Sequence, residues 1–127
     1  ETYTRYRALE HLAAGEIVVL GGGTGSPFFT TDTPSALRAA ELNCDAILKA
    51  TQVDGIYDSD PRTNPQARRF ETLTYGEVLS RDLKVMDTAA IALARDSGIP
   101  IIVFDIHRAG ALADVLAGRG RFTRVAG

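Results

Sequence analysis

Apolar and polar positions change period several times along this chain, and each change marks a predicted element. In residues 4–14, Tyr6, Leu9, Leu12 and Ala13 recur at three- and four-residue spacing and Gly15 follows. That is the pattern of an amphipathic helix with a glycine stop. Ile17-Val18-Val19-Leu20 is a continuous apolar run rich in β-branched residues, which predicts a strand buried on both faces of a parallel sheet. A glycine cluster, Gly21-Gly22-Gly23-Thr24-Gly25, comes next. A second helix has clear start signals, with Asp32 or Thr33 as N-cap and Pro34 near the first helical position. A second apolar strand is predicted over 46–50.

Residues 51–70 are rich in turn formers, including Val53-Asp54-Gly55, Asp58-Ser59-Asp60-Pro61 and Asn64-Pro65. So long a connection inside a small domain points to a functional loop. Thr74-Tyr75-Gly76-Glu77 reads as a capping box opening a short helix. Asp87 is placed to cap a longer helix that Gly98 ends, 99–104 is a third buried strand, and 111–116 a last short helix. Residues 122–125 are predicted as a terminal edge strand. The strand–loop–helix–strand order over 17–50 is a βαβ unit with a right-handed crossover. The fold class is therefore α/β, with a mostly parallel sheet, helices on both faces and loops at the strand C-termini.

Composition narrows the function classes. The 127 residues suit a single modest domain, 1–127, and 45% hydrophobic with 24% charged residues reads as globular. A net charge of −2 and a pI of about 5.6 leave no cationic footprint for nucleic acid. No apolar run approaches the length of a membrane span, and no secretory signal opens the chain. The lone Cys44 cannot form an internal disulfide, which suits a cytoplasmic protein. The chain starts at Glu1 and runs straight into an amphipathic segment, as the middle of a longer protein would.

The glycine loop carries the sharpest chemical signal. Between a strand and a helix N-terminus, its backbone amides are placed to receive an anion. It is not a Walker A loop, since no Gly-Lys-Ser/Thr follows, and it lacks the third glycine of a dinucleotide fingerprint. Thr24, Ser26, Thr30 and Thr31 add four hydroxyls to it. Phe28-Phe29 reads either as an aromatic wall for a base or as a plug at the sheet end, and the pattern alone favours the plug. Asp54, Asp58 and Asp60 do not form an EF-hand, because the twelfth positions are Pro65 and Arg69. They read as turn residues, and Asp32 and Asp87 as helix caps. Lys49, at the end of an apolar strand, occupies a place lysine avoids unless its ammonium has a role or an exit.

Four segments, taken together and in order, resemble the bacterial uridylate kinases of the amino acid kinase superfamily. They are Gly23-Thr24-Gly25-Ser26-Pro27-Phe28-Phe29-Thr30-Thr31-Asp32, Leu48-Lys49-Ala50-Thr51-Gln52-Val53-Asp54-Gly55-Ile56-Tyr57, Asp60-Pro61 and Leu83-Lys84-Val85-Met86-Asp87. The resemblance runs along the whole chain but covers only the family's C-terminal half. It implies a three-layer αβα sandwich that transfers the γ-phosphoryl of ATP, carried with Mg²⁺, to UMP. On this resemblance Thr24, Gly25, Ser26, Pro27, Phe28, Phe29, Thr30 and Thr31 form the UMP-binding loop. Thr51, Tyr57 and Asp60 match ATP-binding positions. Asp32 and Asp87 match acidic positions near the transferring phosphate, with a supporting role, and no residue is implied as a direct metal ligand. The family further implies a homohexamer with GTP and UTP as effectors.

Two departures stand out. Ser26 replaces the family's usual Asn, which shortens the reach of that side chain toward UMP. The family's N-terminal half, with its glycine-rich loop and cations for the ATP phosphates, has no counterpart here, so this chain alone is expected to be inactive. The alternatives are an amino acid or carbamate kinase, which Phe28-Phe29 argues against, and a non-catalytic nucleotide-binding regulatory or storage module.

Overall fold

The computed structural model describes residues 1–127. Its elements are α1 (Arg5–Ala13), α2 (Asp32–Glu41), β1 (Ile47–Thr51), β2 (Thr72–Leu73), α3 (Tyr75–Ser80), α4 (Thr88–Ser97), β3 (Ile101–Asp105), α5 (Ala111–Leu116) and β4 (Phe122–Val125). The strands form one mixed sheet in the order β1-β3-β4-β2. β1 runs parallel to β3, from Ile47 opposite Ile101 to Thr51 opposite Asp105, and β2 runs parallel to β4. β3 and β4 pair antiparallel. The α/β class and mostly parallel sheet are as expected.

Side-chain alternation sorts the sheet into two faces. Ile47 of β1, Ile101 and Val103 of β3, Val125 of β4 and Leu73 of β2 join one apolar cluster with Ala36 and Ala39 of α2, Val78 of α3, and Ala90, Ile91 and Ala94 of α4. Phe104 faces the other way, is buried, and lies outside that cluster, as does Ala111 of α5, which packs on β3. Small alanines on the facing sides of α2 and α4 let the two helices approach closely over the sheet.

Local signals set most of the boundaries. Thr74 accepts the Glu77 amide while Glu77 accepts the Thr74 amide, the reciprocal capping box that starts α3. Asp87 caps α4 through the Ala90 amide, and Gly98 ends it in the left-handed conformation at φ +67°.

Four expectations are corrected. Residues 17–20 form no strand, and Ile17 and Val19 are 92% and 90% exposed. An apolar run becomes a buried strand only with a hydrogen-bonding neighbour and cover on both faces, and no strand of residues 1–127 pairs with it. The βαβ unit over 17–50 is accordingly absent. Asp32 and Thr33 are not the N-cap of α2. Thr31 takes that position without a side-chain bond, and Asp32 begins the helix. β4 is an interior strand, not an edge, because β2, which carries no periodic signal of its own, pairs along its far side. Finally, α1 forms as predicted, but Ala8 is its only buried residue, and Tyr6 and Leu12 stay exposed.

Candidate active site

Three side chains from three elements converge above the helix-covered face of the sheet. Lys49 shares that face of β1 with Ile47 and Thr51, and its ammonium rises toward the start of α2 and the turn before α4. Nζ donates to Asp32 Oδ1 at 3.0 Å and to the Val85 carbonyl at 2.6 Å. The other Asp32 oxygen accepts the Asp87 amide at 3.2 Å. Asp87 in turn accepts the Ala90 amide at 2.7 Å on Oδ1, and the hydroxyls of Thr30 and, at 3.0 Å, Thr33 on Oδ2. Lys49 and Asp32 each keep 27% of their side-chain surface exposed, so the network is sheltered yet open to a ligand. Burial pushes the Asp87 carboxyl upward. The Thr30, Ala90 and Thr33 hydrogen bonds and the nearby Lys49 charge outweigh that, and the group is held below its ordinary value.

The glycine-rich loop is moored to this network. Thr30 Oγ1 bonds Asp87 and also accepts the Asp32 amide at 3.1 Å, while Thr24 Oγ1 accepts the Ser26 amide at 3.1 Å. Gly22 and Gly25 sit at φ +86° and +75°, and a Cβ on either would meet nothing within 4 Å. Backbone conformation, not crowding, therefore calls for glycine there. Phe28 adopts φ +70° and is fully exposed, and Phe29 is 56% exposed. The plug that the pattern favoured is not what forms: both rings face outward beside the loop. A bulky residue in the left-handed region is a local strain that singles out this turn.

A second polar cluster lies where β1 ends. Thr51 Oγ1 accepts the Val53 amide at 3.0 Å and donates to the Val53 carbonyl at 2.7 Å, closing the turn. Tyr57 donates to Asp54 Oδ1 at 2.5 Å, and Arg121 donates to Asp54 Oδ2 at 2.7 Å. Burial raises the Asp54 carboxyl, but Tyr57 and Arg121 together hold it below its usual range, and Asp54 raises the Tyr57 hydroxyl in return. A cavity of about 260 Å³ opens beside them, lined by Gln52, Val53, Asp54, Asp105, Arg108 and Arg121 among others. Asp60 stands apart, closing its own turn with the Arg62 amide at 2.9 Å. Tyr57 is thus held on Asp54, Thr51 closes the turn that leads to it, and Asp60 stands apart.

Thr33 was read from the sequence only as a possible helix cap, and the two arginines of this cavity carried no signal there. Lys49 did, as a cation inside an apolar strand. Asp32 and Asp87, read from the sequence as caps, divide that role: Asp87 is a cap, and Asp32 is a junction. No three His, Cys, Asp or Glu side chains gather into a metal cage, and no helix is long and apolar enough to cross a membrane.

Residues 1–105 match the sequence profile of the amino acid kinase family. The chain belongs to the amino acid kinase family. Among its relatives is the uridylate kinase of Paramagnetospirillum magneticum, 57% identical over 126 residues, covering 99% of this chain and 52% of that protein. The uridylate kinase of Erythrobacter litoralis is 58% identical over 120 residues, covering 94% of this chain and 50% of the relative. The crystal structure of UMP kinase from Bacillus anthracis superimposes with a TM-score of 0.95 at 44% identity, over 99% of this chain and 52% of that one. That of UMP kinase from Ureaplasma parvum gives 0.93 at 37% identity, over 98% and 54%. The chain spans about half the length of the curated relatives it matches, and within that span it has the amino acid kinase fold.

Proposed function

We propose that this chain is the C-terminal half of a UMP kinase, which transfers the γ-phosphoryl group of ATP to UMP and releases UDP. The observation that carries this reading is the mooring of the hydroxyl-rich loop to the Lys49–Asp32–Asp87 network through Thr30. An acceptor loop and a charged cluster are thereby fixed in one place, as phosphoryl transfer requires. The uridylate kinase relatives support UMP as the acceptor. So do the exposed Phe28 and Phe29 rings, which offer aromatic faces to a base.

In this reading the amides and hydroxyls of Thr24, Gly25, Ser26, Thr30 and Thr31 hold the UMP phosphate, and Pro27 shapes the turn between them. Thr51, Tyr57 and Asp60 belong to the ATP side, where the cavity beside Asp54 and its two arginines takes the donor nucleotide. Mg²⁺ arriving on the ATP phosphates supplies charge neutralisation. It usually keeps several waters and needs few protein carboxylates. Both carboxylates are already engaged, Asp87 by Ala90, Thr30 and Thr33 and Asp32 by Lys49 and the Asp87 amide, so their part in this reading is to orient the loop and the lysine around the phosphate. The remaining phosphate-binding cations come from the half of the enzyme outside this chain, and residues 1–127 alone do not turn over.

A phosphoryl-transfer assay on the natural-length protein tests the reading, with ATP offered against UMP, CMP, aspartate and acetylglutamate in parallel. Rapid UDP formation with little other product is the expected result. Binding of UMP without product would leave a sensing or storage module as the better account. Activity on an amino acid would mean the Phe28-Phe29 loop serves another acceptor.

A further inference from the structure

We propose that Lys49 is a positioning residue of this site: its ammonium fixes the Asp32 carboxylate, and through it the Asp87 amide, so that two helix N-termini hold one geometry. The proposal rests on the phosphoryl-transfer reading above for its kinetic consequence, but not for its structural one.

The position of Lys49 is the first argument. It sits on an apolar strand, opposite Val103 and on the same face as the buried Ile47. Leucine or methionine would fill that space without an ammonium to satisfy, so the charge has a purpose that packing does not supply. Its contacts are the second argument. Nζ meets one carboxylate oxygen and one carbonyl, drawn from α2 and from the turn preceding α4. Those two segments are 36 residues from Lys49 at the farther contact and share no backbone hydrogen bond at this point. Lys49 spans them from below, while the Asp87 amide on Asp32 and the Thr33 hydroxyl on Asp87 span them from above.

Electrostatics supplies the third argument. Asp32 lies in the first turn of α2 and Asp87 caps α4, so each carboxylate already faces a helix N-terminus that favours it. The helix dipoles favour both carboxylates whether or not Lys49 is present. A phosphate approaching the Thr30 end of the loop is a different case: without Lys49 it would meet two carboxylates and no cation among these three side chains. The lysine offsets one of those charges and, by engaging Oδ1, stops Asp32 from swinging toward the incoming anion. Asp32 is then left with Oδ2 on the Asp87 amide and a single orientation.

Lys49→Met and Lys49→Arg test this in two ways. Amide hydrogen exchange reads the geometry directly. In Lys49→Met the Asp87 amide should exchange at least about tenfold faster, while the Ile101 and Val103 strand amides stay protected as in the wild type. Steady-state kinetics of the natural-length enzyme reads the consequence. In Lys49→Met kcat should fall about 100-fold with the UMP KM within about threefold, and Lys49→Arg should regain about tenfold of the loss. An unchanged Asp87 amide in Lys49→Met, or a kcat within threefold of wild type, overturns the proposal. Failure of both variants to fold also overturns it and makes Lys49 a core residue. If the wild-type enzyme forms no UDP, the functional reading fails instead, and the exchange experiment still decides the role of Lys49.

Discussion

The Asp87 amide donates to Asp32 Oδ2 at 3.2 Å, so the first residue of one helix and the cap of another are joined by a single hydrogen bond. The bond explains why these two acids divide their work. Asp87 spends its side chain on Ala90, Thr30 and Thr33, and Asp32 spends its own on Lys49 and on Asp87 itself.

Replacing Asp87 separates its capping role from its charge. Asp87→Ala removes the cap of α4 and leaves two hydroxyls without an acceptor, which should cost about 1–2 kcal/mol in denaturant unfolding. Asp87→Asn keeps an oxygen for the Ala90 amide and should cost less.

The pH dependence of stability follows from the same residue. Asp87 is held below its ordinary value in the fold, so its ionised form favours the native state above the usual carboxylate range. That contribution is lost as pH falls below about 4 and through the lower folded value. Asp87→Asn should therefore show a shallower loss of stability on the acid side than wild type, measured as unfolding midpoint against pH.

Gly55 offers a test of the long loop. It lies at φ +153°, and a Cβ there would stand 2.5 Å from Thr123 Oγ1 and 2.9 Å from Arg69 Cδ. Thr123 is fully buried, donates to the Phe70 carbonyl and accepts the Ile56 amide at 2.9 Å, so it cannot step aside. Gly55→Ala should destabilise the fold by about 1–3 kcal/mol in denaturant unfolding, through overpacking and backbone strain.

Phe28 should behave in the opposite way. Its ring is fully exposed, so Phe28→Ala should leave the unfolding midpoint within about 0.5 kcal/mol of wild type. If the ring meets the acceptor base, UMP binding by the natural-length protein should weaken about tenfold, read by calorimetry. A large stability loss with unchanged binding would return Phe28 to the core.

What the sequence made legible depended on how local each signal was. The Thr74 box, the Asp87 cap and the Gly98 stop are satisfied within a turn or two of chain, and all three formed as read. The strands at Ile47–Thr51 and Ile101–Asp105 announced themselves as apolar runs because both pair with each other inside this chain. Residues 17–20 carry an equally good run, but a strand also needs a neighbour, and periodicity says nothing about whether one is present. β2 failed in reverse, since two residues hold no period and Thr72–Leu73 is a strand only by virtue of β4. At the site, Lys49 was conspicuous for being out of place. The outward Phe28 was not, because nothing in a sequence marks a bulky residue for the left-handed region.

The central position of β4 has a consequence for how the sheet holds together. β2 pairs with no other strand, and β3 receives β4 along its whole antiparallel register from Ile101 to Phe104. Within the sheet, Thr72–Leu73 is tied to β1 and β3 only through residues 122–125. Thr123 and Val125, both without exposed surface, thus act as a keystone between the two halves of the sheet. Loss of β4 would therefore divide the sheet into the β1–β3 pair and an unpaired β2, even though the helices above it still share one apolar cluster.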